Sequence, residues 1–215
     1  MKEVNLLVGG PLAQLPDNLL QLKRNAAWIG ADRGALRLIR AGIVPKLAIG
    51  DFDSSSAVER ELIFKNSLRV ETAQAEKDDT DTELAVRFIL RDFQPDLLKI
   101  YGATGGRIDH LLANLFFVLR PEFYSSLERI KLIDRQNEIS FFKPGTYTLN
   151  KQHDKKYLAF VPLTKVSQLV LYDEKYQLPG NDFNWPVSLA SNEFVGLTAK
   201  FSFSSGVVCV IQSKD

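Results

Sequence analysis

Apolar and polar positions follow two different rhythms along the chain. Over roughly the first 134 residues, short apolar runs at 4–8, 26–29, 47–49, 97–101 and 130–133 read as buried strands. Between them apolar residues recur at helical spacing. Residues 15–24 place Leu15, Leu19 and Leu22 on one side, 35–41 carry Leu36 and Ile39, and 109–119 is strongly apolar. Leu84, Ala85, Phe88 and Ile89 form one face of a further helix. Such alternation predicts right-handed crossovers and an α/β, doubly wound, mostly parallel sheet with helices on both faces.

From about Asn137 the helical period disappears. Residues 139–142, 146–149, 157–161, 166–172, 198–203 and 207–212 are short β-rich runs. Turn signals separate them, among them Lys143-Pro144-Gly145, Leu178-Pro179-Gly180-Asn181 and Ser204-Ser205-Gly206. The pattern predicts an α/β domain over 1–135 and an all-β, sandwich-like domain over 136–215.

Composition narrows the chemistry. The 215 residues are 45% apolar and 25% charged, with a formal net charge of +1, which offers no electrostatic case for binding nucleic acid or an acidic membrane surface. Cys209 is the only cysteine, so an intrachain disulfide is impossible, and two histidines, His110 and His153, are too few for a zinc site. Any metal would meet carboxylates, which suit magnesium, manganese or calcium. The apolar run at 4–8 is too short for a signal peptide, and no stretch approaches the roughly 20 apolar residues of a membrane span. The expectation is a cytoplasmic protein.

In doubly wound sheets ligands bind beyond the carboxyl ends of the strands. Here the first strand is followed by Gly9-Gly10, the second by Gly30-Ala31-Asp32-Arg33-Gly34, and the third by Gly50-Asp51-Phe52-Asp53-Ser54. After the strand at 97–101 comes Gly102-Ala103-Thr104-Gly105-Gly106-Arg107. All four loops should open on one edge of the sheet.

In an extended segment Asp51 and Asp53 would point the same way and repel unless a cation or proton sits between them. Taken alone, the pair is better explained by an Asx turn with Asp53 capping a helix that begins near Ala57. Thr80 and Glu83 have capping-box spacing before the Leu84 helix. Three aspartates in the four positions 78–81 nevertheless exceed what a cap requires, and one of them could complete a three-carboxylate magnesium site with Asp51 and Asp53. The loop ending in Gly105-Gly106-Arg107 lies between strand and helix, where backbone amides and a bidentate arginine can meet phosphate, with Asp109 and His110 at the helix start.

These residues, taken together, resemble the thiamine pyrophosphokinase family. The similarity rests on Ala31-Asp32-x-Gly34-Ala35, Gly50-Asp51-Phe52-Asp53-Ser54, Lys77-Asp78-x-Thr80-Asp81 and Gly105-Gly106-Arg107-x-Asp109-His110, in that order. Lys175-Tyr176-x-Leu178 and Ser191-Asn192-Glu193-Phe194 extend it into the β-rich part. The resemblance implies transfer of a pyrophosphoryl group from ATP to the hydroxyl of thiamine, releasing AMP, by a homodimer with thiamine near the dimer interface. It implies that Asp51, Asp53 and Asp81 hold magnesium. It places Gly9, Gly10, Asp32, Asp78, Thr80, Gly105, Gly106, Arg107 and His110 around ATP, counts Arg107 and Asp109 among the catalytic groups, and puts Tyr176, Ser191 and Asn192 on thiamine.

One position departs from the pattern: Arg33 stands where the family usually has a second glycine. An arginine there must point elsewhere or itself reach a phosphate. Asp81 and Asp109 are both open as acceptors of the hydroxyl proton. A different enzyme class, a magnesium-dependent nucleotide hydrolase using the same carboxylates on water, is the alternative.

Overall fold

The apolar runs of the N-terminal part become β1 (Glu3–Leu7), β2 (Trp28–Ala31), β3 (Leu47–Gly50), β5 (Leu97–Tyr101) and β6 (Ile130–Ile133), joined by a short β4 (Val70–Thr72). The computed structural model describes residues 2–72 and 79–215, so Lys77 and Asp78 lie outside the described residues. All six strands are parallel, in the order β6-β5-β1-β2-β3-β4. Every residue of β2 and β3 is buried, as expected of strands covered on both faces. The chain walks outward from β1 to β4 on one side and returns to place β5 and β6 on the other. The order therefore reverses at β1, which fixes where a ligand crevice should form.

The helices are α1 (Leu19–Leu22), α2 (Arg33–Arg40), α3 (Ala57–Asn66), α4 (Asp81–Phe88), α5 (Ile108–Phe116) and α6 (Pro121–Tyr124). The helix expected over 15–24 is reduced to α1. Pro16 holds Leu15 in an extended conformation, and Asn18 takes a left-handed φ of 55°. Leu15 and Leu19 still bury against Trp28 and Leu38, but Leu22, expected on the same face, is 79% exposed. The apolar segment expected at 109–119 is α5 continued by a 3₁₀ turn, Phe117–Leu119.

The chain divides into two compact units, Met1–Arg135 and Gln136–Asp215. The second contains β7 (Asn137–Phe142), β8 (Gly145–Asn150), β9 (Tyr157–Pro162), β10 (Val166–Leu171), β11 (Leu178–Phe183), β12 (Leu189–Glu193), β13 (Thr198–Phe203) and β14 (Val208–Ser213). Strands β12, β9, β14 and β7 pair antiparallel in that order, and β11, β10, β13 and β8 form a second antiparallel sheet. Alternate residues of β9 and β13 bury into one core, where the Phe201 ring lies 5.2 Å from that of Phe160 and 5.1 Å from that of Phe142. This is a β sandwich. Leu178-Pro179-Gly180-Asn181, expected as a turn, is instead part of β11. Because β11 is an edge strand with shifted register, the missing amide of Pro179 breaks no central ladder. Among the described residues no helix is long and apolar enough to cross a membrane.

Candidate active site

A cavity of about 840 Å³ opens at the carboxyl ends of β1, β2, β3 and β5, where the strand order reverses. Its floor is made by two glycine loops in contact. The Gly10 amide donates to the Gly102 carbonyl at 2.9 Å, and a Cβ on Gly10 would lie 2.0 Å from that oxygen. Only glycine permits this approach. Arg37 of α2, half-buried, donates to the carbonyl oxygens of Val8 and Gly10 and so fixes the first loop. Burial, then the neighbouring charge of Arg33, holds its guanidinium below the usual arginine range. The β5 loop is fixed in a similar way. Asn114 of α5 donates to the Ala103 carbonyl at 2.8 Å, and the buried Thr104 hydroxyl donates to Asp134 at 2.7 Å.

Asp32 follows β2 with φ 46° and ψ −120°, a conformation uncommon outside glycine. Positive φ thus falls on Asp32 rather than on the following residue, and Arg33 can begin α2 as an ordinary helical residue. The Asp32 carboxyl does not cap α2. It accepts from the Phe52 amide at 3.3 Å and shares a hydrogen bond with Asp81. Burial, followed by the Asp81 contact, raises its pKa to about 7 against the weaker opposing pull of the Phe52 amide. Gly50 makes room for it, since a Cβ there would sit 2.1 Å from Asp32 Oδ1.

The extended conformation expected at Asp51 to Asp53 does not form. Phe52 is left-handed, with φ 53°, and buries fully among Ala35, Leu36, Ala48 and Ile63, edge-on to Phe64. The Asp53 amide donates to Asp51 Oδ1 at 3.0 Å, an Asx turn. The cap of α3 is Ser56, in a capping box with Glu59, and not Asp53. Asp51 and Ser54 line the cavity; Asp53 is not part of the lining.

The acidic turn divides its labour. Thr80 and Glu83 form the expected capping box of α4. Asp79, 4% exposed, is held by Arg87 and by Arg120, each at 2.6 Å, and Arg87 first and Arg120 second keep its pKa low. That leaves Asp81 to face Asp32. Asp78 lies outside the described residues.

Gly9, Gly10, Asp32, Asp51, Thr80 and Asp81 thus share one cavity, joined by Gly106, Arg107 and His110. Gly105 and Asp109 are off the lining. Asp109 pairs with Arg107, accepting from its Nε at 3.1 Å, and also accepts from the His110 amide, so it orients the arginine. Arg37 and Asn114 line the cavity outside every motif, and Thr104 lies inside the Gly102–Arg107 loop with no role expected of it. The visible signal for Arg37 is its helical spacing from Arg33.

The carboxylates and Thr80 offer only oxygen, a donor set that suits a hard divalent cation. Two acids sharing a hydrogen bond also require a proton or a cation between them. Among the described residues, however, no group of three or more His, Cys, Asp or Glu is already gathered to hold one ion.

In the β unit Tyr176 and Asn192 come together, and Ser191 precedes Asn192 in β12. Asn192 is buried, and its Oδ1 accepts from the Tyr176 amide at 2.9 Å while its Nδ2 donates to the Tyr176 carbonyl at 2.8 Å. Its side chain is thereby occupied in holding the Tyr176 backbone. The Tyr176 ring is 57% exposed, with Lys175 Nζ 5.5 Å from its centroid, and Ser191 is exposed with a left-handed φ of 62°.

Residues 19–132 match the family model described as thiamin pyrophosphokinase, catalytic domain, and residues 146–208 match thiamin pyrophosphokinase, vitamin B1 binding domain. The chain belongs to the thiamin pyrophosphokinase family. It is 38% identical to thiamine pyrophosphokinase of Bacillus subtilis (strain 168) over 217 residues, covering all of both chains. A solved thiamin pyrophosphokinase family protein from Enterococcus faecalis is 44% identical over 99% of each chain, with a TM-score of 0.92. A solved protein from Lactobacillus plantarum is 50% identical over all of both chains, with a TM-score of 0.90. The cavity residues from Asp32 to Asn114 fall within the thiamin pyrophosphokinase catalytic match, and Tyr176, Ser191 and Asn192 fall within the vitamin B1 binding match. The nucleotide-hydrolase alternative finds no support among these relatives.

Proposed function

We propose that this member of the family transfers the pyrophosphoryl group of ATP to the hydroxyl of thiamine, giving thiamine diphosphate and AMP. One observation carries the proposal. The glycine loops, Arg107 and the carboxylates of Asp32, Asp51 and Asp81 line a single cavity at the strand-order reversal, in a chain that matches both domains of the family.

In this scheme the Gly105-Gly106 loop presents backbone amides to the phosphates, with Arg107 as a charged donor steadied by Asp109. Gly9-Gly10, its Gly10 amide held by the Gly102 carbonyl, forms the floor beneath them. Asp32, Asp78, Thr80 and His110 complete the nucleotide pocket, and Tyr176 and Ser191 meet thiamine, with Asn192 holding Tyr176. The thiamine hydroxyl oxygen bonds to the β-phosphorus, the bond from that phosphorus to the α,β-bridging oxygen breaks, and AMP leaves with the bonding electrons. The hydroxyl proton goes to a carboxylate, Asp81 or Asp109; Asp81 lines the cavity but shares a hydrogen bond with Asp32, and Asp109 is engaged by Arg107. Asp51, Asp53 and Asp81 would hold magnesium, which when bound offsets charge on the phosphates. The protein's own contribution is positioning and charge stabilisation.

The proposal includes a homodimer. In support, α5 exposes Ile108, Leu112 and Phe116 at successive helical turns, and the β unit exposes Trp185, Val195 and Leu197. Sedimentation at micromolar concentration should give twice the monomer mass.

The activity is tested by incubating the protein with ATP, omitting magnesium or thiamine in turn. AMP should form only when both are present. Loss of ATP at the same rate without thiamine would point to a hydrolase instead.

A further inference from the structure

Beside the main cavity lies a second one of about 280 Å³, between α2 and the start of α3. Arg33, Leu36, Arg37, Arg40, Ser55 and Glu59 line it. The three arginines recur at positions i, i+4 and i+7, which stacks them along one face of α2. Arg37 is held by the Val8 and Gly10 carbonyls, and the one carboxylate is already engaged: Glu59 pairs with Arg40 at 2.9 Å and accepts from the Ser56 amide in the α3 capping box. The Arg33 guanidinium has no hydrogen bond or ion pair among the described residues.

Ser55 makes this more than a patch of surface charge. It is 6% exposed, and its hydroxyl is buried in the cavity wall with no hydrogen-bond partner among the described residues. A buried donor is rarely left unmet in a native protein unless a ligand or water meets it. Arg33 and Arg37 also line the main cavity, so the two spaces share a wall, whereas Arg40 and Ser55 belong to the smaller one alone.

We propose that the smaller cavity is an anion site that takes an oxyanion of the phosphate class, bound by Arg33 and Arg40 with Ser55 as an uncharged donor. Its occupant is either the end of a polyphosphate chain reaching over from the main cavity or a free phosphate or pyrophosphate. The assignment does not depend on the transfer reaction. A preparation unable to make AMP that still binds pyrophosphate through Arg40 and Ser55 would keep it.

The test is calorimetric titration of the full chain with inorganic pyrophosphate. Arg33→Gly, Arg40→Gln and Ser55→Ala should each weaken binding, the arginine changes by about tenfold, as loss of a charge-assisted hydrogen bond implies. Arg60→Gln, which removes a charge from α3 outside the cavity, should not. Ser55→Ala deletes a hydroxyl that has no partner, so it keeps the experiment readable if an arginine variant folds poorly. Repeating the titration with a non-hydrolysable ATP analogue bound separates the two sources. Competition identifies the nucleotide's own terminal phosphates, and undiminished binding identifies a free anion. The proposal is overturned if pyrophosphate shows no saturable binding, or if Arg107→Gln weakens binding while Arg40→Gln and Ser55→Ala do not.

Discussion

Asp32 and Asp81 share a hydrogen bond between their carboxyl groups, although one follows β2 and the other begins α4, 49 positions apart in sequence. Asp51 adds further negative charge nearby. Two acids can approach in this way only with a proton or a cation between them. This cluster is therefore a place where binding a cation relieves repulsion. Replacing Asp81 by asparagine should leave the magnesium-free protein as stable as before, or more so, while lowering the rate of thiamine-dependent AMP formation at least ~100-fold. Parallel thermal melts and initial rates would check this. A rate within a few-fold of the parent would remove Asp81 from the chemistry.

Asn192 grips both backbone groups of Tyr176, so the two should act as one unit toward thiamine. Asn192→Ala and Tyr176→Ala are each expected to raise KM for thiamine by about tenfold with little change in kcat. The double variant should be hardly worse than either single one, because coupled residues are not additive. Independent, multiplying effects on KM would show that Asn192 does not act through Tyr176.

Asp79 is buried between Arg87 and Arg120, and its loss would strand two guanidiniums. Asp79→Asn should lower stability by about 1–3 kcal/mol, less than the roughly 3–5 kcal/mol of a fully buried pair because both arginines are about one-third exposed. Its pKa is depressed in the fold, so the stabilisation is fully present above the unfolded carboxylate pKa. It is lost as pH falls through the folded value. Urea denaturation of both proteins at neutral and acid pH should show the difference shrinking on acidification.

Much of this was legible beforehand, for reasons that can be read from particular residues. The buried strands at β1, β2, β3, β5 and β6 announce themselves as apolar runs, and the loops after them carry the glycines and aspartates of the cavity. By contrast β4 has three half-buried or exposed residues and no apolar run, and β11 contains Pro179 and Gly180, which an edge strand tolerates but which read as a turn. The polar stretch that forms β12 likewise carries no apolar run. The contacts of Arg37 and Asn114 leave no signal in the sequence because what they hold is backbone made adjacent only by folding. Asn192 was expected to touch thiamine as part of a motif; its hydrogen bonds to Tyr176 appear only once the two segments are side by side.

Glu174 provides a pH test remote in sequence from the cavity residues. It is 1% exposed, its Oε1 has no hydrogen-bond partner among the described residues, and burial pushes its pKa up to about 7. A carboxyl with a raised folded pKa favours the fold when protonated. Stability should therefore fall as pH rises from the unfolded value, roughly 4.3, to about 7, and then level off. Glu174→Gln should abolish that slope and be more stable than the parent at pH near 8 by about 1–3 kcal/mol, with the advantage gone near pH 4. Melting curves across this range would decide, and identical pH profiles for the two proteins would count against a neutral buried carboxyl.

The central claim is that the cavity lined by Asp32, Asp51 and Asp81 moves a pyrophosphoryl unit and not a single phosphoryl group. ATP labelled at its β-phosphorus follows that unit directly. With magnesium and thiamine present, the label should pass into thiamine diphosphate, with one AMP formed for each diphosphate. Label retained in ADP, with thiamine monophosphate as the product, would contradict it.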